Sequence, residues 1–265
     1  MKKKWIIVTA VILVLAAAAA GIWFATRPKT EDAMTALGKK GTLAIAMEGT
    51  WEPWTYRDQD GNLTGFDVEL GRLVAEGLGL KADFREMAWE KVLESVENGS
   101  CDIAINCIGY TEERAQKYAF TDPYLYTEAA LVVRSDENEI SAVKDLKGRK
   151  AANARGSTYA QRSEAAGALM EYVDGMEEAL QMLQEGRVDA TINSKDSLDK
   201  YMEEHPDANI RLAQIMLGEK VVIPAQKGSD TLVAAINDVL AKLKEDGTLK
   251  ALSEKYFGTD LTEEP

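Results

Sequence analysis

A single histidine, His205 in a Glu-Glu-His-Pro stretch, excludes a histidine-based catalytic triad and a metal site built on several imidazoles. Cysteine is nearly as scarce, and two residues in a chain of 265 exclude a disulfide-rich scaffold. Positive charge is in deficit: 31 Lys and Arg stand against 44 Asp and Glu, a formal −13. Five of those bases (Lys2, Lys3, Lys4, Arg27 and Lys29) fall in the first 30 residues, which hold no acid, so the remainder carries −18. A body that acidic repels phosphate backbones and anionic lipid, and no nucleic-acid partner is expected. What is present is ordinary for a folded chain. Apolar residues make up 46% and charged residues 28%, which excludes wholesale disorder and collagen-like or low-complexity architectures. The length suits one large domain or two lobes of roughly 100–120 residues each.

The amino terminus sets the compartment. Lys2–Lys4 precede a run from Trp5 to Thr26 without a charged residue, followed by Arg27 and Pro28. At about 1.5 Å per residue this run covers about 33 Å, enough to cross the hydrocarbon, whereas a signal-peptide core is usually about 7–15 residues. The lysines stay on the cytoplasmic side and place everything after Arg27 outside. Residues 5–26 are therefore expected to tether an extracytoplasmic protein to the cell membrane, or to release it as a secreted one if cleaved after Ala16–Ala20. No cysteine near the end of the run offers a site for a lipid anchor. Pro28–Leu37 is a short polar tether.

After residue 41, short strand-like runs alternate with amphipathic stretches. Strands are expected at Thr42–Met47, Lys81–Glu86, Asp102–Asn106, Ala129–Arg134, Arg149–Asn153 and Val188–Ile192. Helices are expected at Phe66–Leu78, Glu90–Asn98, Thr158–Ala166, Met176–Glu185, Leu198–Glu204, Leu232–Glu245 and Leu249–Tyr256. The alternation predicts an α/β fold with mostly parallel sheets. Cys101 and Cys107 bracket the strand at Asp102–Asn106. At about 3.3 Å per residue their Cα atoms would lie about 20 Å apart, too far for a disulfide.

Two segments match beyond composition: VLESVENGSCDIAIN (Val92–Asn106) and ALQMLQEGRVDATIN (Ala179–Asn193). Each reads as a helix closed by a glycine, two residues, an aspartate, a short strand and a terminal asparagine. Gly99 and Gly186 suit the left-handed position after a helix. Asn106 and Asn193 fall at the carboxyl ends of strands, where open α/β sheets bind ligands. A common helix–strand unit explains the match, and so do two similar lobes facing each other across a cleft.

Chemistry concentrates near those strand ends. Asn106-Cys-Ile-Gly-Tyr-Thr-Glu-Glu-Arg114 leaves a strand and enters a helix capped by Thr111. Free backbone N–H groups and the Arg114 guanidinium there suit a carboxylate, which accepts two parallel hydrogen bonds; a surface arginine paired with Glu112 or Glu113 is the plainer alternative. Gly156-Ser157-Thr158 can donate to an anion from the other half, or simply cap a helix. Trp51, Trp54 and Trp89 follow predicted strands, where tryptophan is ordinary core or the wall of a pocket. Glu48, directly after a strand, can meet an ammonium group. Met170, Met176, Met182 and Met216 read as core filler.

In order along the chain, GTLAIAMEGTWEPWTYRDQDG (41–61), LTGFDVELGRLVAEGLGL (63–80), DIAINCIGYTEERAQKYAFTDPY (102–124) and DLKGRKAANARGSTYA (145–160) resemble the polar amino acid-binding receptors of ABC importers. GRVDATIN (186–193), KGSD (227–230) and EDGTLKALSEKYFG (245–258) continue the resemblance, which covers about Leu37 to Gly258 and leans toward the cystine-binding branch. It implies the two-lobed periplasmic-binding-protein fold of the second topological type, with the ligand cleft between lobes joined by two crossovers. Residues 37–126 and 220–258 would form the first lobe and 127–219 the second, after an anchor and tether at 1–36 and before a tail at 259–265. The crossovers would lie near Tyr124–Ala129 and Met216–Val222.

The resemblance assigns Arg114 to the ligand's α-carboxylate, Trp51 and Trp89 to aromatic walls, and Glu48 to the pocket edge. Asn106, Cys107 and Gly109 fall beside it, and Ser157 and Thr158 match contacts from the second lobe, with Gly156 of the same loop counted in the candidate site. The residue after GRVDATIN is commonly an aspartate that meets the ligand's ammonium; here it is Ser194, so Glu48 or Asp196 would have to compensate. The expected protein is a monomeric receptor without metal or cofactor that closes over a free polar L-amino acid, such as cystine or glutamine, and presents it to ABC permease subunits. A ligand-sensing ectodomain or adaptor and a dehydratase on the same fold are the rival readings. With no signalling segment after Pro265, the adaptor would need a separate partner.

Overall fold

The computed structural model describes residues 33–264, and the apolar run at 5–26 lies outside them. Among the described residues no helix is long and apolar enough to cross a membrane. Helix α1 (Ala33–Lys40) leads into β1 (Thr42–Met47), whose TLAIAM is buried over its last five residues because both of its sides are covered. A small hairpin, β2 (Tyr56–Arg57) and β3 (Leu63–Thr64), precedes α2 (Phe66–Gly77), β4 (Lys81–Glu86), α3 (Trp89–Glu97) and the very short β5 (Ile103–Ala104). Next come α4 (Glu112–Lys117), β6 (Tyr118–Phe120) and the ten-residue β7 (Leu125–Arg134). The chain continues through β8 (Lys150–Ala154), α5 (Thr158–Ala165), β9 (Leu169–Val173), α6 (Met176–Gln184), β10 (Ala190–Ser194) and α7 (Lys195–Glu204). The twelve-residue β11 (Ile210–Val221), β12 (Pro224–Gln226), α8 (Asp230–Glu245) and α9 (Thr248–Phe257) complete it.

Two five-stranded sheets result, ordered β4-β1-β5-β12-β6 and β11-β7-β10-β8-β9. Parallel pairing is confined to β1 with β4 and β5, and to β8 with β9 and β10. Strands β12, β7 and β11 pair antiparallel, so the sheets are mixed and the expectation of mostly parallel sheets is corrected. The reason lies in β7 and β11, two long strands that pair with each other from Arg134 opposite Ile210 to Leu125 opposite Val221. The carboxyl-terminal helices pack on the first sheet: Leu232, Ile236, Leu240, Leu249 and Leu252 share a core with Leu43, Ile45 and Ile103. Residues 259–264 follow them, with Leu261 accepting from the Tyr126 N–H at 2.8 Å and Thr262 buried.

The internal repeat has a common physical role. Asp102 donates its N–H to the Ala44 carbonyl at 2.9 Å while its Oδ2 accepts from the Ala44 N–H at 2.7 Å. Asp189 makes the same reciprocal pair with Lys150, at 2.8 and 2.9 Å. Gly99 and Gly186 both have positive φ, 75° and 72°, at the turn that closes the preceding helix. The two aspartates thus fasten equivalent turns onto the adjacent parallel strand, once in each sheet.

Candidate functional site

The expected strand at Asp102–Asn106 is ordered as a strand only over Ile103–Ala104, and its continuation becomes the floor of a site. Asn106 is fully buried. Its side-chain oxygen accepts from the Glu48 N–H at 2.8 Å and the Thr55 hydroxyl at 3.2 Å, and its amide donates to Glu48 Oε2 at 2.7 Å. Cys107 has a left-handed φ of 45°, unusual without glycine. Its N–H is fixed by Asp67 Oδ2 at 2.6 Å, and Tyr124 donates to the other oxygen of that carboxyl at 2.8 Å. Burial pushes the Asp67 carboxyl up to about 7 and the Cys107 thiol well above its ordinary range. Both cysteines are free and buried, as the spacing implied.

This turn delivers the chain to α4, where the Thr111 hydroxyl accepts from the Arg114 N–H at 3.1 Å as a helix cap. The Arg114 guanidinium points inward and is only 6% exposed. It donates to the Gly109 carbonyl at 2.8 Å and, from across the molecule, to the Gly156 carbonyl at 3.2 Å, with the Trp89 ring 5.6 Å away. Among the described residues it makes no ion pair within 4.0 Å, so the expected alternative of pairing with Glu112 or Glu113 is set aside. Trp89 ties the same two regions, its indole N–H donating to the Arg155 carbonyl at 3.1 Å. Trp51 packs against both the first sheet's core and that of the second, and its buried Nε1 has no hydrogen-bond partner. Trp54 is fully buried core.

These groups line a cavity of about 70 Å³, room for several water molecules. It brings together Glu48, Trp51, Trp89, Asn106, Cys107, Gly109, Arg114, Ser157 and Thr158 of the expected site. Gly156 is not in the lining and serves through its carbonyl on Arg114. Ser194 is not in the lining either: it is fully buried, with its hydroxyl 3.5 Å from Asp196 Oδ2. Asp196, its carboxyl pushed up to about 6 by burial, borders a neighbouring open cleft instead. Ser157 caps α5, accepting from the Ala160 N–H at 3.0 Å. Arg155 turns outward, its guanidinium 3.6 Å over the Tyr172 ring.

Sequence reasoning did not place Asn153, Tyr159 and Glu219 in the lining; Met176 packs against the second sheet's core as read, and also lines the cavity. Asn193, singled out only by the repeat, lines the cavity as Asn106 does. The position of Asn153 at the end of β8 could have been found by extending the strand-end rule that picked out Asn106 and Asn193; Glu219 carries no such signal. Two acids therefore line the cavity, Glu48 and Glu219. Glu48 is pushed up to about 7 by burial, against the opposing hydrogen bond from Asn106, and burial raises Glu219 as well.

Mixed sheets on either side of a cavity, joined by two long paired strands, with a buried arginine and aromatic walls, define a two-lobed binding protein of the second periplasmic type. The sequence gives the family: residues 43–259 match the bacterial extracellular solute-binding proteins, family 3, and the chain belongs to it. It is 38% identical over 269 residues to the L-cystine-binding protein TcyA of Bacillus subtilis, covering 99% of this chain and 100% of that protein. Among solved structures, an ancestral arginine-binding protein bound to arginine superposes with a TM-score of 0.78 at 33% identity, over 82% of this chain and 99% of that one. The L-cystine receptor of Neisseria gonorrhoeae, unliganded and open, is 35% identical over 88% of this chain and the whole of that one, yet superposes with a TM-score of only 0.56.

Proposed function

We propose that this protein is an extracytoplasmic receptor that closes over a free polar L-amino acid and delivers it to an ABC permease. The observation that carries this reading is Arg114. A buried guanidinium whose side-chain hydrogen bonds go only to two carbonyl oxygens has donors to spare, and a planar carboxylate satisfies them two at a time. The lining gives the other end of the ligand amides (Asn106, Asn153, Asn193) beside aromatic and thioether walls, which favours a neutral polar or disulfide side chain. The cystine-binding relative supports cystine as the first candidate.

In this reading residues 37–126 and 220–258 form the first lobe and 127–219 the second, hinged where β7 and β11 pass between the sheets. The ligand bridges the lobes and stabilises the closed arrangement by its differential affinity. The better superposition on the arginine-bound protein than on the open receptor supports a closed form here. Residues 1–36 would tether the monomer to the membrane, with 259–265 as its tail. We read it as a receptor and not an enzyme; turnover of prephenate or arogenate would count against this, and crosslinking to a signalling partner instead of a permease would favour the adaptor reading. Calorimetric titration with the twenty L-amino acids and L-cystine tests the proposal: micromolar binding of at least one is expected, and binding of none contradicts it.

A further inference from the structure

Glu219 is placed in the cavity by a defect in β11. The register against β7 slips between Leu217 and Lys220, and the extra residue turns the glutamate inward. Gly218 makes the slip feasible, since a Cβ there would lie 1.1 Å from the Thr127 carbonyl oxygen. The Glu219 side chain is 4% exposed. Its Oε2 lies over Gly109, where an added Cβ would come within 2.0 Å, and Gly109 is also the residue whose carbonyl holds Arg114. Its Oε1 is buried without a hydrogen bond; Arg162 Nη2 forms an ion pair with it at 3.6 Å, beyond hydrogen-bond reach, the Arg114 charge also favours the carboxylate, and the Thr158 hydroxyl is the group's hydrogen-bonding neighbour. Arg162 supplies charge but no hydrogen bond, and a buried carboxylate oxygen without a donor is expensive, so what the site lacks is an N–H donor within reach of Oε1, which an ammonium group brings.

An α-amino acid carries its carboxylate and ammonium on one carbon, so its two receptor groups must converge on one spot. Arg114 and Glu219 do so from two sides of Gly109. Of the two acids in the lining, Glu48 already accepts from the Asn106 amide, and Asp196 and Ser194 lie outside it. We propose that Glu219 takes the ammonium group of the bound ligand, so that Arg114 and Glu219 together read the zwitterion. This rests on the amino acid reading above and adds the residue that distinguishes an amino acid from a plain carboxylic acid.

Paired ligands that differ only in the ammonium group test it. The full-length protein and its Glu219→Gln variant are titrated calorimetrically with L-cystine against 3,3′-dithiodipropionate, L-arginine against 5-guanidinopentanoate, and L-glutamine against 4-carbamoylbutanoate. Wild type should prefer the amino acid of any pair it binds. The variant should lose about tenfold to a hundredfold in affinity for that amino acid, while the deaminated partner changes less than about threefold. Should Glu219→Gln not fold, Glu219→Asp, which keeps the charge and shortens its reach, should weaken the amino acid selectively. Equal losses for both members of a pair would show that Glu219 only positions Arg114 and Arg162, and would overturn the proposal. So would a Glu48→Gln variant that abolishes the preference while Glu219→Gln retains it. Should wild type bind none of these three, the amino acid that binds in the wider titration and its deaminated analogue form the test pair; binding of none of the twenty L-amino acids or L-cystine would remove the proposal together with the parent reading, a result distinct from binding that ignores residue 219.

Discussion

A guanidinium held beneath the surface with hydrogen bonds to two carbonyl oxygens has donors left over, and in the proposed function Arg114 is the residue on which the binding chemistry turns. Arg114→Ala should weaken the bound amino acid by about tenfold to more than a hundredfold, the range of a lost charge-assisted pair of hydrogen bonds. Calorimetry checks the affinity and circular dichroism checks the fold. Glu48 and Asp67 predict a pH dependence. Both carboxyls stand at about 7, whereas Glu48's ordinary value is 4.5 and Asp67's is 3.8. Between those values the folded protein keeps protons that the unfolded chain has released, so stability is fully present at low pH and is lost as pH rises toward and through 7. For Glu48 the shift corresponds to on the order of 3 kcal/mol. In urea denaturation Glu48→Gln should flatten the fall of stability between about pH 4.5 and 7; an unchanged slope would contradict this. Cys107 faces the cavity but is held as a thiol by burial, so incubation with L-cystine should yield no cysteinyl adduct by mass spectrometry.

At the scale of elements, the bulge in β11 is the most exacting feature. Gly218→Ala forces a Cβ into the Thr127 carbonyl and should cost about 1–3 kcal/mol or more, read as a lower urea midpoint. Local signals were what the sequence could show. Thr42–Met47 and Lys81–Glu86 are strands at the expected bounds, because each is a short apolar or alternating run between turn residues. The Thr111 cap and the helix carrying Arg114 were legible for the same reason, as were the positive-φ glycines of the repeat. Strand β11 was not. Its IRLAQIMLGEKV mixes charges and a glycine with apolar residues, and Leu217, an apolar residue, is 79% exposed while Glu219, an acid, is buried. That inversion comes from the bulge and from pairing with β7 some 90 residues earlier in the chain, which no local pattern records. Glu219 was hidden with it, and so was the antiparallel half of each sheet. Tyr159 and Met176 lie on helices whose inward faces serve core and cavity alike, so helical periodicity could not tell the two uses apart.

At the scale of the whole molecule, the contacts that cross the cleft among the described residues include Arg114 to Gly156, Trp89 to Arg155, the Arg155–Glu90 ion pair, and Trp51 against both cores. Bridging contacts that are mainly polar or aromatic suit a structure that opens, with the ligand tipping the balance toward closure. Small-angle scattering should therefore show the radius of gyration falling when a saturating amino acid is added, and no change would count against hinge closure. The central claim, that Arg114 grips the carboxylate of an amino acid between the lobes, is met most directly by diffraction from crystals grown with the amino acid that binds. The account predicts ligand density in the cavity with its carboxylate about 3 Å from the Arg114 guanidinium nitrogens. A ligand bound elsewhere, or lying in this cavity with its carboxylate turned away from Arg114, would contradict it.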